Sequence, residues 1–249
     1  MHDVVLLSVA AFLAGALNSV AGGGSFLTLP ALVFTGMPAV AANATGTVAL
    51  LPGYVSGTWG FREDLAPPPG LSMRSIVLIS LIGGSVGAAL LLFTSDTAFR
   101  KVVPWLLLVA TAMFAFAPQL RKWAGASTHG PVSLWKSGLG MFLVAGYGGY
   151  FNGGLGILLL ALFGLLGQTR LNAMNGMKNL VSALLTAIAV IIYAAGGLVH
   201  WPEALLMMVA ATLGGYVGAR VARRIPAPWL RGGIVVIGLA TTAVFFMKR

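Results

Sequence analysis

Apolar residues run through this chain in ten blocks, separated by short polar or glycine-rich joints. The blocks at 4–20, 40–60, 75–93, 102–117, 138–151, 172–195, 202–219 and 229–246 reach or approach the roughly 20 residues that cross a hydrocarbon core. Each predicts a helix. The blocks at 26–35 and 157–166 are much shorter, and at ~1.5 Å per residue they cover only about half that thickness. Each short block follows a glycine-rich joint. The first joint is Asn18-Ser-Val-Ala-Gly-Gly-Gly-Ser25 and the second is Tyr150-Phe-Asn-Gly-Gly-Leu-Gly156. Runs of glycine cannot sustain a helix, because each loses more backbone entropy than alanine would. In lipid the break also strands N–H and C=O groups away from water, so it survives only where protein buries it or where it lines a polar cavity. The pattern predicts two broken helices or re-entrant hairpins.

Composition fixes the class. Hydrophobic residues make up 58% of the 249 positions and charged residues 8%, against about 25% charged in an ordinary soluble domain. The expected fold is all-α, a polytopic membrane protein. A net charge of +10 would suggest nucleic acid in a soluble chain. Here the basic residues fall in short joints between blocks, where they orient a membrane protein, so no nucleic-acid partner is expected. With no cysteine, disulfides, thiolate catalysis and cysteine metal ligands are excluded. Only Met1, His2 and Asp3 precede the first block, without the basic region of a cleavable signal.

The chain repeats itself. A shift of 132 positions lays Gly22 on Gly154, Gly24 on Gly156 and Asn43 on Asn175. A shift of 131 lays Gly83-Gly-Ser-Val-Gly-Ala88 on Gly214-Gly-Tyr-Val-Gly-Ala219. Glycine is common in membrane helices, but two matches at nearly one shift, in one order of elements, indicate a duplication. The expected units are residues 1–118, a cytoplasmic linker at 119–135, and residues 136–249. The glycine face Gly83, Gly84, Gly87 suits close helix packing within the monomer or across a homodimer.

Charge chooses the topology. If each broken pair crossed once, the loop lysines and arginines would divide evenly between the two sides. If each pair re-enters, Arg100, Lys101, Lys248 and Arg249 lie on one side and the other ten on the opposite side. The positive-inside rule favours the second arrangement. It gives two inverted repeats, each a re-entrant hairpin plus three transmembrane helices, with both termini outside the cytoplasm. Inverted repeats with discontinuous helices meeting near the midplane are a recurrent transporter design.

Asp3, Glu63, Asp64, Asp96 and Glu203 all fall in joints or at block ends, so a proton relay through buried acids is not expected. Lys178 lies inside a block, flanked by Asn175 and Asn179. It either snorkels to the interface or faces the hairpin tips and attracts an anion, alongside unpaired N–H groups at the glycine breaks. Asn43, Thr45 and Thr47 could donate into the same cavity or serve as interhelical glue. Asn18 and Asn152 sit near the breaks as ligand contacts or caps, and Ser25 has the same two readings. His2, His129 and His200 are too peripheral to serve Ser25 as a base, and no cluster with metal-ligand spacing or nucleotide-binding loop occurs. No cofactor or metal is expected. The tryptophans Trp59, Trp105, Trp123, Trp135, Trp201 and Trp229 mostly sit near block ends, as interfacial anchors would.

This ordered set resembles the TauE/SafE family of sulfite and organosulfur-anion exporters. The matching residues are Asn18 to Ser25 with Gly22-Gly23-Gly24, Leu29-Pro30, Ala41-Ala-Asn-Ala-Thr-Gly-Thr47, Gly148-Gly-Tyr-Phe-Asn-Gly-Gly-Leu-Gly156, and Asn172 through Asn179. The second joint departs from the triple-glycine form, with Leu155 between Gly154 and Gly156. The resemblance implies a secondary transporter in the plasma or inner membrane that exports sulfite, a sulfonate or a related small anion. The expected binding residues are Asn18, Gly22, Gly23, Gly24, Ser25, Asn43, Thr45, Thr47, Tyr150, Asn152, Gly154, Gly156, Asn175, Lys178 and Asn179. A passive anion channel is the first alternative and an intramembrane hydrolase the second.

Overall fold

The computed structural model describes residues 2–20, 22–116, 119, 133–221 and 227–247. Ten α-helices fill the ten predicted blocks: α1 (His2–Val20), α2 (Ser25–Phe34), α3 (Ala39–Gly60), α4 (Met73–Leu92), α5 (Asp96–Ala115), α6 (Leu134–Phe151), α7 (Leu155–Leu165), α8 (Leu171–Ala195), α9 (Trp201–Val221) and α10 (Ala227–Met247). A 3-10 turn, Arg62–Asp64, follows α3, and no strand occurs among the described residues. Most of the expected linker lies outside the described residues, with Arg121, Lys122, Trp123, Ser127, Thr128 and His129. So do Arg223, Arg224, Lys248 and Arg249, and the side chains of Arg220, Trp229 and Arg231.

The largest shift from the sequence reading is at α5, which starts at Asp96 rather than at 102. The polar first turn holds itself together. The Ser95 hydroxyl accepts the Ala98 N–H, and Arg100 Nε donates to Asp96 Oδ2 at 2.7 Å. Asp96 also complements the positive end of its helix dipole. The earlier start moves Trp105 to the middle of α5, where it meets Phe246 edge-on instead of anchoring an end.

The outer surface is apolar in regular stripes. On α4, Leu78, Ile82, Val86 and Leu90 are all more than half exposed, one per helical turn. On α9 the stripe is Leu205, Val209, Leu213 and Val217. Water does not tolerate contiguous faces of this kind, whereas lipid does. The inner faces carry the small residues. A Cβ on Gly87 would lie 2.0 Å from the Gly146 carbonyl oxygen, one on Gly149 2.2 Å from that of Gly84, and one on Gly214 1.8 Å from that of Phe12. Backbone thus rides on backbone where α4 crosses α6 and where α1 crosses α9. The Gly83, Gly84, Gly87 face is spent on α6 and α8 of the same chain. The molecule is a polytopic α-helical membrane protein.

Polar contacts gather the loops into two ends. At the first end, the Val40 N–H at the start of α3 donates to Asp96, and the His200 N–H before α9 donates to Thr45. At the second, Arg170 pairs with Asp64 at 3.7 Å, Gln168 donates to the Ala66 carbonyl, and Gly176 packs on Phe61 and Leu65. Helix α3 therefore runs from the first end to the second, and α8 runs back. Helices α1 and α2 form a hairpin that starts and finishes at the first end: Leu6 shares a crevice with Phe34, and Gly24 abuts the Ala14 carbonyl. Helices α6 and α7 form a hairpin at the second end, with Gly140 beside Leu162 and Gly148 beside Leu155. The correspondence extends to backbone angles. Gly22 and Gly154 both have φ 72°, and the glycines closing the short limbs, Gly36 and Gly167, have φ 89° and 86°.

Candidate functional site

The tips of the two hairpins meet. Gly22 sits so close to Gly156 that a Cβ on it would lie 3.0 Å from the Gly156 Cα. Its φ of 72° is the left-handed region that only glycine enters freely. Gly22, Gly23, Gly24 and Ser25 are all buried. Gly24 stands at the N-cap position of α2 and Ser25 is its first residue, so Ser25 is not the cap. Gly154 holds the matching position before α7, its missing side chain facing Ala110.

A broken helix must satisfy its last carbonyls, and here side chains do so. The Asn43 amide donates to the Tyr150 carbonyl at 3.0 Å, the Tyr147 hydroxyl to that of Gly153 at 2.6 Å, and the Tyr193 hydroxyl to that of Gly149. The donors come from α3, α6 and α8, so the tip is pinned from three sides. Tyr150 itself turns its ring edge to Phe99.

Asn152 does not cap α6 with its side chain. Its Oδ1 accepts from the Tyr54 hydroxyl at 3.0 Å, and its Nδ2 donates to Thr186 Oγ1 at 3.2 Å. Tyr54 and Thr186 occupy equivalent positions of α3 and α8 under the shift of 132. Asn18, in the last turn of α1, reaches the same Tyr54 hydroxyl.

Lys178 is 3% exposed and is the one charged side chain in the buried set of the described residues. Its side chain is enclosed by protein. Ser182 and Thr186 follow at helical spacing on its face of α8, and both are fully enclosed. The polar line runs from Lys178 to the tip residue Asn152. Asn179 is buried against Gly57, and Asn175 is half-buried. Thr45 and Thr47 are committed elsewhere: Thr45 accepts the His200 N–H, and Thr47 donates to the Asn43 carbonyl one turn back. Tyr54, Ser182 and Thr186 were missed by the sequence reading. The signal was present in the spacing of Ser182 and Thr186 from Lys178.

A helical membrane bundle whose two broken hairpins meet in a buried polar cluster defines a membrane transporter. The chain belongs to the sulfite exporter TauE/SafE family, whose profile matches residues 7–245. It is 30% identical to a probable membrane transporter protein of Haemophilus influenzae, covering 96% of this chain and 93% of that one. A probable membrane transporter protein of Sinorhizobium, ORF9, is 29% identical over 96% and 90% of the two chains. The Escherichia coli K12 probable membrane transporter protein YfcA is 26% identical over 96% and 87%.

Proposed function

We propose that the protein exports a small sulfur-containing oxyanion, sulfite or a sulfonate, by alternating access between two inverted halves comprising residues 1–118 and 136–249. The observation that carries this reading is the meeting of two hairpins from opposite ends, Gly22 on Gly156, with the tip residue Asn152 bonded to Thr186 on the helix that also buries Lys178. The antiparallel course of α3 and α8 supports inversion. So does the division of charge, with Arg62 and Arg170 at one end and Arg100 at the other. The basic end would face the cytoplasm, placing both termini outside. Rocking of one half against the other would open the tips to each face in turn.

The family's printed description supplies the sulfur oxyanion, and the chemistry is consistent with it. The buried Lys178 side chain and the N–H groups of the tip backbone suit a small anion, and among the described residues no Asp or Glu falls in the buried class. The test is counter-flow in proteoliposomes with labelled sulfite or methanesulfonate. The wild-type protein should show saturable exchange, and Lys178→Gln should reduce kcat/KM at least ~10-fold. Unchanged transport by Lys178→Gln removes the lysine from the site. Flux that neither saturates nor exchanges identifies a channel instead.

A further inference from the structure

We propose that the crevice between the first hairpin and α10 holds an anionic phospholipid, with an acyl chain in the slot and the phosphate on Arg100. The proposal stands apart from the transport reading above.

The slot has a volume of about 400 Å³, and its walls come from α1, α2 and α10, with Leu6, Leu27, Phe34 and Val244 among them. Its lining is apolar except for Thr241 and Arg100. It lies on the outer surface, since Phe34 is 76% exposed and Val244 48%. From Phe34 to Leu27 it follows about two turns of α2, about 10 Å, which is most of the hydrocarbon depth of one leaflet. A small hydrophilic anion gains nothing from such walls. A hydrocarbon chain restores the dispersion contacts that an empty slot forfeits.

The polar end of the slot chooses the headgroup. Arg100 stands one turn into α5, at the end of the molecule where Asp96 Oδ1 accepts the Val40 N–H at 3.1 Å. The other oxygen of the same carboxylate, Oδ2, accepts Arg100 Nε at 2.7 Å. Asp96 thus ties the guanidinium to the start of α3 and fixes its plane. Among the described residues the Nη1 and Nη2 groups of Arg100 have no other partner, and the side chain is half exposed. A guanidinium held by Nε, with both terminal nitrogens open, matches two oxygens of a phosphate. Lys101 is exposed beside it, so two cations stand against one acid. A zwitterionic headgroup brings a cation of its own to this spot, whereas an anionic one does not.

The test titrates the delipidated full-length protein, in detergent, with dioleoyl-phosphatidylglycerol or dioleoyl-phosphatidylcholine and counts bound lipid by native mass spectrometry. The wild-type protein should hold phosphatidylglycerol about fivefold or more tightly. Arg100→Gln should abolish that preference and keep phosphatidylcholine affinity within about twofold. Ala240→Phe, at an exposed position of the lining, fills the slot and should weaken both lipids. Lys101→Gln lies next to the site without lining it and should retain most of the preference. Equal binding of the two lipids, or a preference that survives Arg100→Gln, overturns the proposal. So does lipid binding indifferent to Ala240→Phe, or a preference lost equally in Lys101→Gln, which is general attraction to a basic end. Lipid-free dimers that Ala240→Phe dissolves give the slot to a second copy and overturn it as well. None of these readouts involves transport, so each failure leaves the proposed function standing.

Discussion

Gly22 shows what a single hydrogen atom in place of a side chain achieves. Its φ of 72° and the 3.0 Å that would separate a Cβ on it from the Gly156 Cα are separate reasons for glycine. Gly36 isolates the first, since it has φ 89° but nothing within 4 Å of its absent Cβ. Gly36→Ala should therefore cost about 1 kcal/mol in a thermal melt. Gly22→Ala should cost at least ~2 kcal/mol and abolish exchange, because the tips are pushed apart. If the two variants behave alike, the tip contact is not a constraint. Tyr54→Phe removes the hydroxyl that bonds Asn152 and orphans Asn152 Oδ1, for an expected loss of about 1–3 kcal/mol. The glycine breaks could be read from sequence because glycine runs have no other use inside an apolar block. Tyr54 could not, since a lone tyrosine announces a polar tip but not which neighbour it meets. Thr47 misled for a related reason: a threonine in a helix can spend its hydroxyl on the carbonyl one turn back, as this one does toward Asn43.

At the scale of elements, the ten helices were legible because lipid imposes long apolar blocks and loops punctuate them. Their ends were less so. Helix α5 begins early because Ser95, Asp96 and Arg100 bond among themselves, and short-range polar pairs of this kind are invisible to hydropathy. Which helices cross closely is written in the glycines but not with which partner. The structure pairs α1 with α9 and α4 with α6, so in both close crossings a helix from before the linker packs on one from after it through small residues. Gly214→Ala places a methyl 1.8 Å from the Phe12 carbonyl oxygen and should destabilise the protein by several kcal/mol, on the order of an overpacked core substitution. Gly53→Ala, exposed on α3 with nothing within 4 Å, should be neutral or raise stability by up to about 1 kcal/mol through helix propensity. Thermal unfolding in detergent compares the two directly.

For the whole molecule, the prediction concerns sidedness. The chain has no cysteine, so single cysteines report without background. Glu63→Cys lies at the end rich in basic residues and Thr97→Cys at the opposite end. In intact cells an impermeant maleimide should label Thr97→Cys and spare Glu63→Cys until the membrane is opened. The reverse pattern would invert the orientation, and labelling of both from outside would break the two-ended arrangement. The expectation comes from the division of loop lysines and arginines, which carry orientation independently of packing.

The matching of the halves fails at one informative place. The shift that lays Asn43 on Asn175 lays Gly46, packed against Thr28, on Lys178. In the proposed alternating-access cycle, two perfectly equivalent halves would give inward-open and outward-open forms of equal free energy, and a carrier with no preferred resting state. A cation on one half alone removes that degeneracy. An anion would then be held with different strength according to which face is open, and by mass action it would bias the carrier toward the tighter form. Moving the charge, as Gly46→Lys with Lys178→Gly, would be expected to reverse the resting bias rather than merely weaken transport.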